Sequence, residues 1–302
     1  MFVFNRGVND EFAKRLNAEY DTCRWWKLLA SDTDLFITIR NACIEVYWNG
    51  DSLLKIELHG DRIVGEIHYK YLLRHDLPKS ALRVHGGTVS FPNASTFFLN
   101  DLLDIAALKR AARPYASGGQ ALLYRIIRSN WNVIDLDIVL GVDEHGQKDK
   151  IDFAALRAAS DASDGAELVF YVARPFSSPE IRNAGEGRPP VLERIERYRE
   201  LIVQHARELE NVYRAVCKNL TGFYWTWDRY DAVSIDLMHR VAENGPFRIN
   251  EMPRLIVFDF DNDQRDGRDW AIHRKKLEAA LGNRFLLKGE AREFMRGIST
   301  GL

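Results

Sequence analysis

A chain of 302 residues, 46% of them hydrophobic, sets 42 lysines and arginines against 43 aspartates and glutamates. That apolar content excludes global disorder, and the length suits one large domain or two ordinary ones. A formal net charge of -1 excludes a uniformly basic nucleic-acid binder, so a partner of that kind would need a local basic groove.

The three cysteines, Cys23, Cys43 and Cys217, are scattered and lack metal-ligand spacing. An odd count argues against a disulfide framework and for small buried thiols in a reducing compartment. The first residues, "MFVFNRGVNDEF", lack the cationic start and apolar run of a signal peptide. No stretch reaches the ~18 apolar residues of a membrane span. The expectation is a cytoplasmic protein with no membrane partner.

In chain order, residues 10–30 read as helix, in "DEFAKRLNAEY" and then "CRWWKLLA". Four short runs rich in β-branched and aromatic residues follow, at 34–40, 43–50, 52–60 and 62–73. The turn signals "RNA", "NGD" and "HGD" separate them, which predicts an antiparallel meander. Ile44, Val46 and Trp48 alternate with Glu45, Tyr47 and Asn49, as one-sided burial requires. Residues 74–98 read as irregular, and 98–112 and 120–130 as helices. The expected domains are 1–112, a β-meander and helical domain, and 113–302.

The second part alternates. Strands are expected at 132–141, at "KIDFAALRA" (150–158) and at "ELVFYVARPF" (167–176). A loop leads to Pro190, a favoured helix start, and apolar residues at 3–4 spacing predict one long helix from Val191 to Asn219. "GFYWTWDRYD" reads as a loop or short strand, "AVSIDLMHRVAEN" as helix, "RLIVFDFDND" as strand and "RDWAIHRKKLEAALG" as helix. The fold class is α/β (α+β): a mixed sheet with antiparallel hairpins at its centre and helices outside, preceded by the meander.

Around the second and third strands of this part the order resembles the PD-(D/E)XK nuclease superfamily, over roughly residues 115–220. In that restriction-endonuclease-like fold, an Asp on one strand and a Glu-x-Lys on the next converge on Mg²⁺. The resemblance puts Asp152 of "KIDFAAL" at the strand Asp, and Asp137 of "VIDLDIVL" where a further acid is common. It puts Val172 at the Glu position and Arg174 at the Lys position. In "RIERY", Tyr198 keeps the Tyr of a Gln-x-x-x-Tyr pair and Arg194 replaces the Gln, while Gln120 stands where some families carry a helical Glu.

These departures have chemical consequences. Val172 cannot ligate a metal, and Arg174 cannot shuttle protons but can grip a phosphate bidentately. Asp137 and Asp152 leave room for one Mg²⁺, since such sites often use one or two carboxylates. Glu193 or Glu196 is placed to help from the helix, whereas Glu167, five residues from Val172, points to the opposite face of a regular strand.

Other motifs are weaker. "LIVFDFDND" resembles the opening motif of haloacid-dehalogenase-type phosphatases, but too little chain follows it. As a calcium loop it fails at Gln264 and Trp270, so a strand ending in an acidic turn is expected. His68, His75 and His85 lack metal spacing, and no Walker, dinucleotide or nucleophile-elbow motif is present. Basic residues interleaved with aromatics mark candidate phosphate contacts: Lys109, Arg110, Arg113, Arg125 and Arg128, near Tyr115 and Tyr124. "CRWWK" reads as a buried helix face.

The reading that follows is a nucleic-acid-binding protein with a degenerate, inactive or atypical nuclease site, with DNA favoured over RNA. It would fit a subunit of a DNA-processing or defence complex, with a protein partner or further copies of itself. The alternatives are an active Mg²⁺-dependent endonuclease with migrated ligands, and a protein-interaction subunit that binds no nucleic acid.

Overall fold

The computed structural model describes residues 4–67, 69–72, 82–85, 88–90, 105–116, 118–142, 145–159, 165–183 and 185–289. It is a mixed α/β protein that divides into two compact units. One unit takes residues 5–124 together with 215–235; the other takes 1–4, 125–214 and 236–302. The chain thus changes unit at 124/125 rather than at 112/113, and residues 215–235 return to the N-terminal unit.

The N-terminal unit opens with helices α1 (Asp10–Thr22) and α2 (Arg24–Ser31). Asn9 starts α1 by accepting the Phe12 N–H on its side chain. An antiparallel sheet follows in sequential order: β1 (Phe36–Ile39), β2 (Cys43–Trp48), β3 (Asp51–His59), β4 (Arg62–Ile67), β5 (Leu82–His85) and β6 (Thr88–Ser90). Asn49 and Gly50 both have positive φ and form the tight β2–β3 turn that the "NGD" signal predicts. β4 ends at Ile67, and a 3-10 turn, Tyr69–Leu72, replaces the rest of the expected strand. The stretch read as irregular contains β5 and β6; its other residues, and the first turns of the helix read over 98–112, lie outside the described residues. Helix α3 is Ile105–Ala112.

One expectation inverts within β2. Tyr47 is buried while Trp48 is half-buried. Tyr47 shares a face with Glu45. On that face the Arg40 guanidinium lies 5.6 Å from the Tyr47 ring centre, and the Tyr47 hydroxyl donates to Glu45 at 2.5 Å. A polar cap, not solvent, covers this face, so alternation in the sequence overstated its exposure. The core of the unit is aromatic. Trp26 meets Trp225 edge-on at 4.8 Å, and Phe223 stacks on Trp225 at 4.2 Å. Trp25 and Trp26 are both buried, as the reading of "CRWWK" expected.

The C-terminal unit is built on β7 (Val133–Val142), β8 (Lys148–Ala158) and β9 (Ala166–Pro175), paired antiparallel. β10 (Phe247–Ile249) and β11 (Arg254–Phe258) both run parallel to β9, and β12 (Phe285–Lys288) runs parallel to β11. The order is β12-β11-β9-β8-β7. β9 is central, and Ala166 to Ala173 are buried without alternation, as a strand covered on both faces must be.

Helix α4 is Gly118–Ser129. The single helix expected over 191–219 is two: α5 (Pro190–Gln204) and α6 (Ala206–Gly222). They break at His205, which leaves helical geometry (φ -107, ψ 14) and pairs its ring with Glu208 at 3.0 Å. The remaining α-helices among the described residues are α7 (Ala232–Ala242), α8 (Asn262–Asp266) and α9 (Arg268–Leu281).

Candidate functional site

Strand register builds the site. Leu136 pairs with Phe153 and Ile138 with Ile151, so Asp137 stands opposite Asp152. Phe153 pairs with Tyr171, so the next residues, Asp152 and Val172, face each other. Val172 in turn pairs with Leu255. Residues opposite one another share a sheet face, as do residues two apart. Asp137, Asp152, Val172 and Arg174 therefore lie on one face, as the resemblance requires of the last three.

The side chains then close on each other. Asp152 accepts the Ala173 N–H at 2.8 Å and Nη1 of Arg174 at 3.0 Å, both on Oδ2. Nε of Arg174 donates to Oε2 of Glu180 at 2.6 Å, and Arg194 reaches Oε1 of Glu180 at 3.1 Å. The result is an alternating chain of charges: Asp152, Arg174, Glu180, Arg194. Side-chain exposure rises along it from 13% at Arg174 to 29% at Glu180 and 46% at Arg194, so it opens to solvent at the Arg194 end. A second pair, Lys150 with Asp137 at 2.6 Å, lies beside it. Tyr198 anchors α5 here, donating to the Lys150 carbonyl at 2.5 Å.

Burial pushes the Asp152 carboxyl above its ordinary range and Asp137 adds to this, while Arg174 and the Ala173 N–H pull it back. Burial opposes the charge of Arg174, but Asp152 and Glu180 together hold its pKa above the usual guanidinium value. Burial raises Tyr198 to about 12.

Both carboxylates offered for Mg²⁺ are already paired in this arrangement. Asp137 is taken by Lys150 and Asp152 by Arg174, and Val172 is apolar and wholly buried. Among the described residues no group of three metal-ligating side chains is formed. Of the acids expected from the helix, Glu196 pairs with Arg188 at 2.7 Å on the surface and Glu193 is exposed. Glu167 lies on the other face, bound to Arg157.

Two members of the site were not anticipated. Glu180 sits on the one-turn 3-10 segment Pro179–Ile181, capped by the Ser178 side chain. The "SSPE" sequence directly after β9 is the helix-start signal that would have found it. Lys150 is two residues before Asp152, and the period of two places it on the same face.

The other basic candidates disperse. Lys109 is held within the N-terminal unit by Asp32 and Asp34, at 2.8 and 3.2 Å, and is only 15% exposed. Arg110 and Arg113 are exposed in that unit, and Arg125 and Arg128 are exposed in the other. Tyr124 is buried, its hydroxyl 2.6 Å from the Tyr47 carbonyl, so it is a core residue and not a stacking platform. Tyr115 is exposed, but its hydroxyl donates to the Lys70 carbonyl. Gln120 falls in the N-terminal unit, not in the unit holding Asp152.

No family model matches the chain, and neither the curated proteins nor the solved structures contain a match. Among the described residues no helix is long and apolar enough to cross a membrane.

Proposed function

We propose that the chain binds nucleic acid on a nuclease-like scaffold whose catalytic strand has exchanged metal chemistry for phosphate recognition. The observation that carries this reading is Glu180 between Arg174 and Arg194. Its two oxygens each meet a guanidinium, an arrangement that a phosphate group would satisfy equally. Glu180 belongs to a single turn in the connection between β9 and α5, so it can yield the two arginines to a strand phosphate. Asp152 remains behind Arg174 and keeps its fork oriented. The helix–strand–strand–strand–helix order of α4, β7, β8, β9 and α5 supports the resemblance to the PD-(D/E)XK superfamily. That resemblance alone favours DNA over RNA and a place in a DNA-processing or defence complex.

The test is a salt titration with labelled duplex DNA, single-stranded DNA and RNA. Binding should weaken as salt rises, because phosphate contacts release counterions. Replacing Arg174 and Arg194 together by Met should reduce the slope of log K against log salt by about 2. Glu180→Gln should tighten binding by removing the competing carboxylate. Absence of binding at low salt would sink the proposal. Mg²⁺- or Mn²⁺-dependent cleavage that disappears in Asp152→Ala would replace it with an endonuclease.

A further inference from the structure

The face of the C-terminal sheet turned away from Asp152 carries a different group of cations. Arg254 pairs in register with Tyr171, which pairs with Phe153, and the last two rings stack at 4.8 Å. Leu255 pairs with Phe285, so Arg254 and Arg284 stand side by side where β12 begins. Arg254 is 7% exposed; its guanidinium meets the Tyr171 hydroxyl, but its Nη1 is buried with no hydrogen-bond partner among the described residues.

Glu167, the carboxylate that β9 carries on this face, is already saturated. Oε2 of Glu167 takes Nε and an Nη of Arg157, both at 2.7 Å. Oε1 takes Nε and an Nη of Arg248, both at 3.2 Å, and the Asn250 amide at 2.7 Å. Glu167 thus has nothing left for Arg254. Arg284 donates to the Ala280 carbonyl at 3.3 Å, which supplies no counter-charge. Burial lowers its pKa, and the like charges of Arg199 and Arg254 lower it further.

A buried guanidinium nitrogen with no partner among the described residues is unfavourable, and native folds keep such a group where something else completes it. We propose that Arg254 and Arg284 form a second anion site, separate from the Arg174 clamp, which takes a small phosphate-type oxyanion. Two adjacent guanidinium forks suit a doubly charged tetrahedral ion that accepts several hydrogen bonds. The depth of Arg254 and the half-exposed position of Arg284 favour a compact phosphate, free or at the end of a small molecule, over a polynucleotide backbone.

Thermal unfolding of the full chain tests the site. Inorganic phosphate is compared with sodium chloride at equal ionic strength. The wild type should gain a phosphate-specific, saturable rise in Tm, since a ligand of the native state stabilises it by mass action. Arg254→Met should lose that rise, Arg284→Met should weaken it, and Arg174→Met should keep most of it. A purely structural Arg254 would instead give a lower Tm in both salts with no phosphate-specific component. The proposal is overturned if the wild type shows no such rise, or if Arg254→Met or Arg284→Met retains it in full. Should Arg254→Met fail to fold, calorimetric titration of phosphate into wild type and Arg284→Met gives the same decision. A nucleoside monophosphate run in parallel separates the sources. A larger rise than with phosphate assigns a phosphorylated small molecule, and an equal rise assigns the free ion.

Discussion

Arg229 is half-buried in the N-terminal unit and meets main-chain oxygens. Its nitrogens lie 2.6 to 3.1 Å from the carbonyls of Leu29, Ala30, Asp32 and Leu35. These carbonyls sit at and just beyond the C-terminus of α2, where the helix dipole is negative and carbonyls lack intrahelical partners. Burial lowers the pKa of the guanidinium, and Tyr230, Tyr124 and Asp32 oppose that shift. Arg229→Met should cost about 2–4 kcal/mol, as several buried carbonyls lose partners at ~1 kcal/mol or more each. A urea midpoint that drops with an unchanged slope would register this, and an unchanged midpoint would refute it. Tyr198 offers a pH test. Its folded pKa of about 12 lies above the unfolded value of about 10. The neutral hydroxyl therefore contributes fully below pH ~10, and that contribution fades as pH rises through 12. Stability of the wild type should fall more steeply than that of Tyr198→Phe between these values. At pH 7, Tyr198→Phe should cost ~1 kcal/mol for the lost bond to Lys150. At this scale the strand residues of the site were legible, because period two fixes which of them share a face. Glu180 was not, because loop residues obey no period.

Among the elements, α8 shows how an acidic cluster can be architecture. Asp261 accepts the Gln264 N–H at 2.7 Å, and the Gln264 side chain accepts the Asp261 N–H at 3.0 Å. This reciprocal capping box gives Asp261 of "DFDND" a structural role. Asp261→Ala should lower stability by about 1 kcal/mol. Faster hydrogen exchange at the Gln264 amide would locate the effect, and unchanged exchange there would argue against the cap. The antiparallel strands β1 to β4 and β7 to β9 were readable because turn signals bound them and β-branched residues fill them; β5 and β6 were not. The break between α5 and α6 was not, because Leu201, Ile202, Leu209 and Val216 continue the helical spacing across His205. β10 and β12, of three and four residues, are too short to show a period. Their pairing with buried partners, β9 and β11, creates them.

Across the whole chain, the feature that composition and motif could not reveal is the return of residues 215–235 to the N-terminal unit. Contact between distant segments, not local pattern, decides it. Asn219 makes two hydrogen bonds to the Val8 backbone, each 3.1 Å. Trp225 packs on Trp26, and Arg229 closes the end of α2. Removing this segment strips the unit of a buried Trp, whose truncation alone costs about 3–5 kcal/mol, and of the Arg229 fan. A domain rarely has more than 5–15 kcal/mol of stability to lose. Residues 5–124 expressed alone should therefore lack a cooperative thermal transition and bind a hydrophobic dye, with secondary structure retained in part. The same fragment joined through a long Gly/Ser linker to residues 215–235 should recover a sharp transition. In the joined form, Trp225→Ala should abolish that recovery. A cooperative melt from 5–124 alone would mean that the N-terminal meander and its helices carry their own core, and the returning segment would then be an accessory to it.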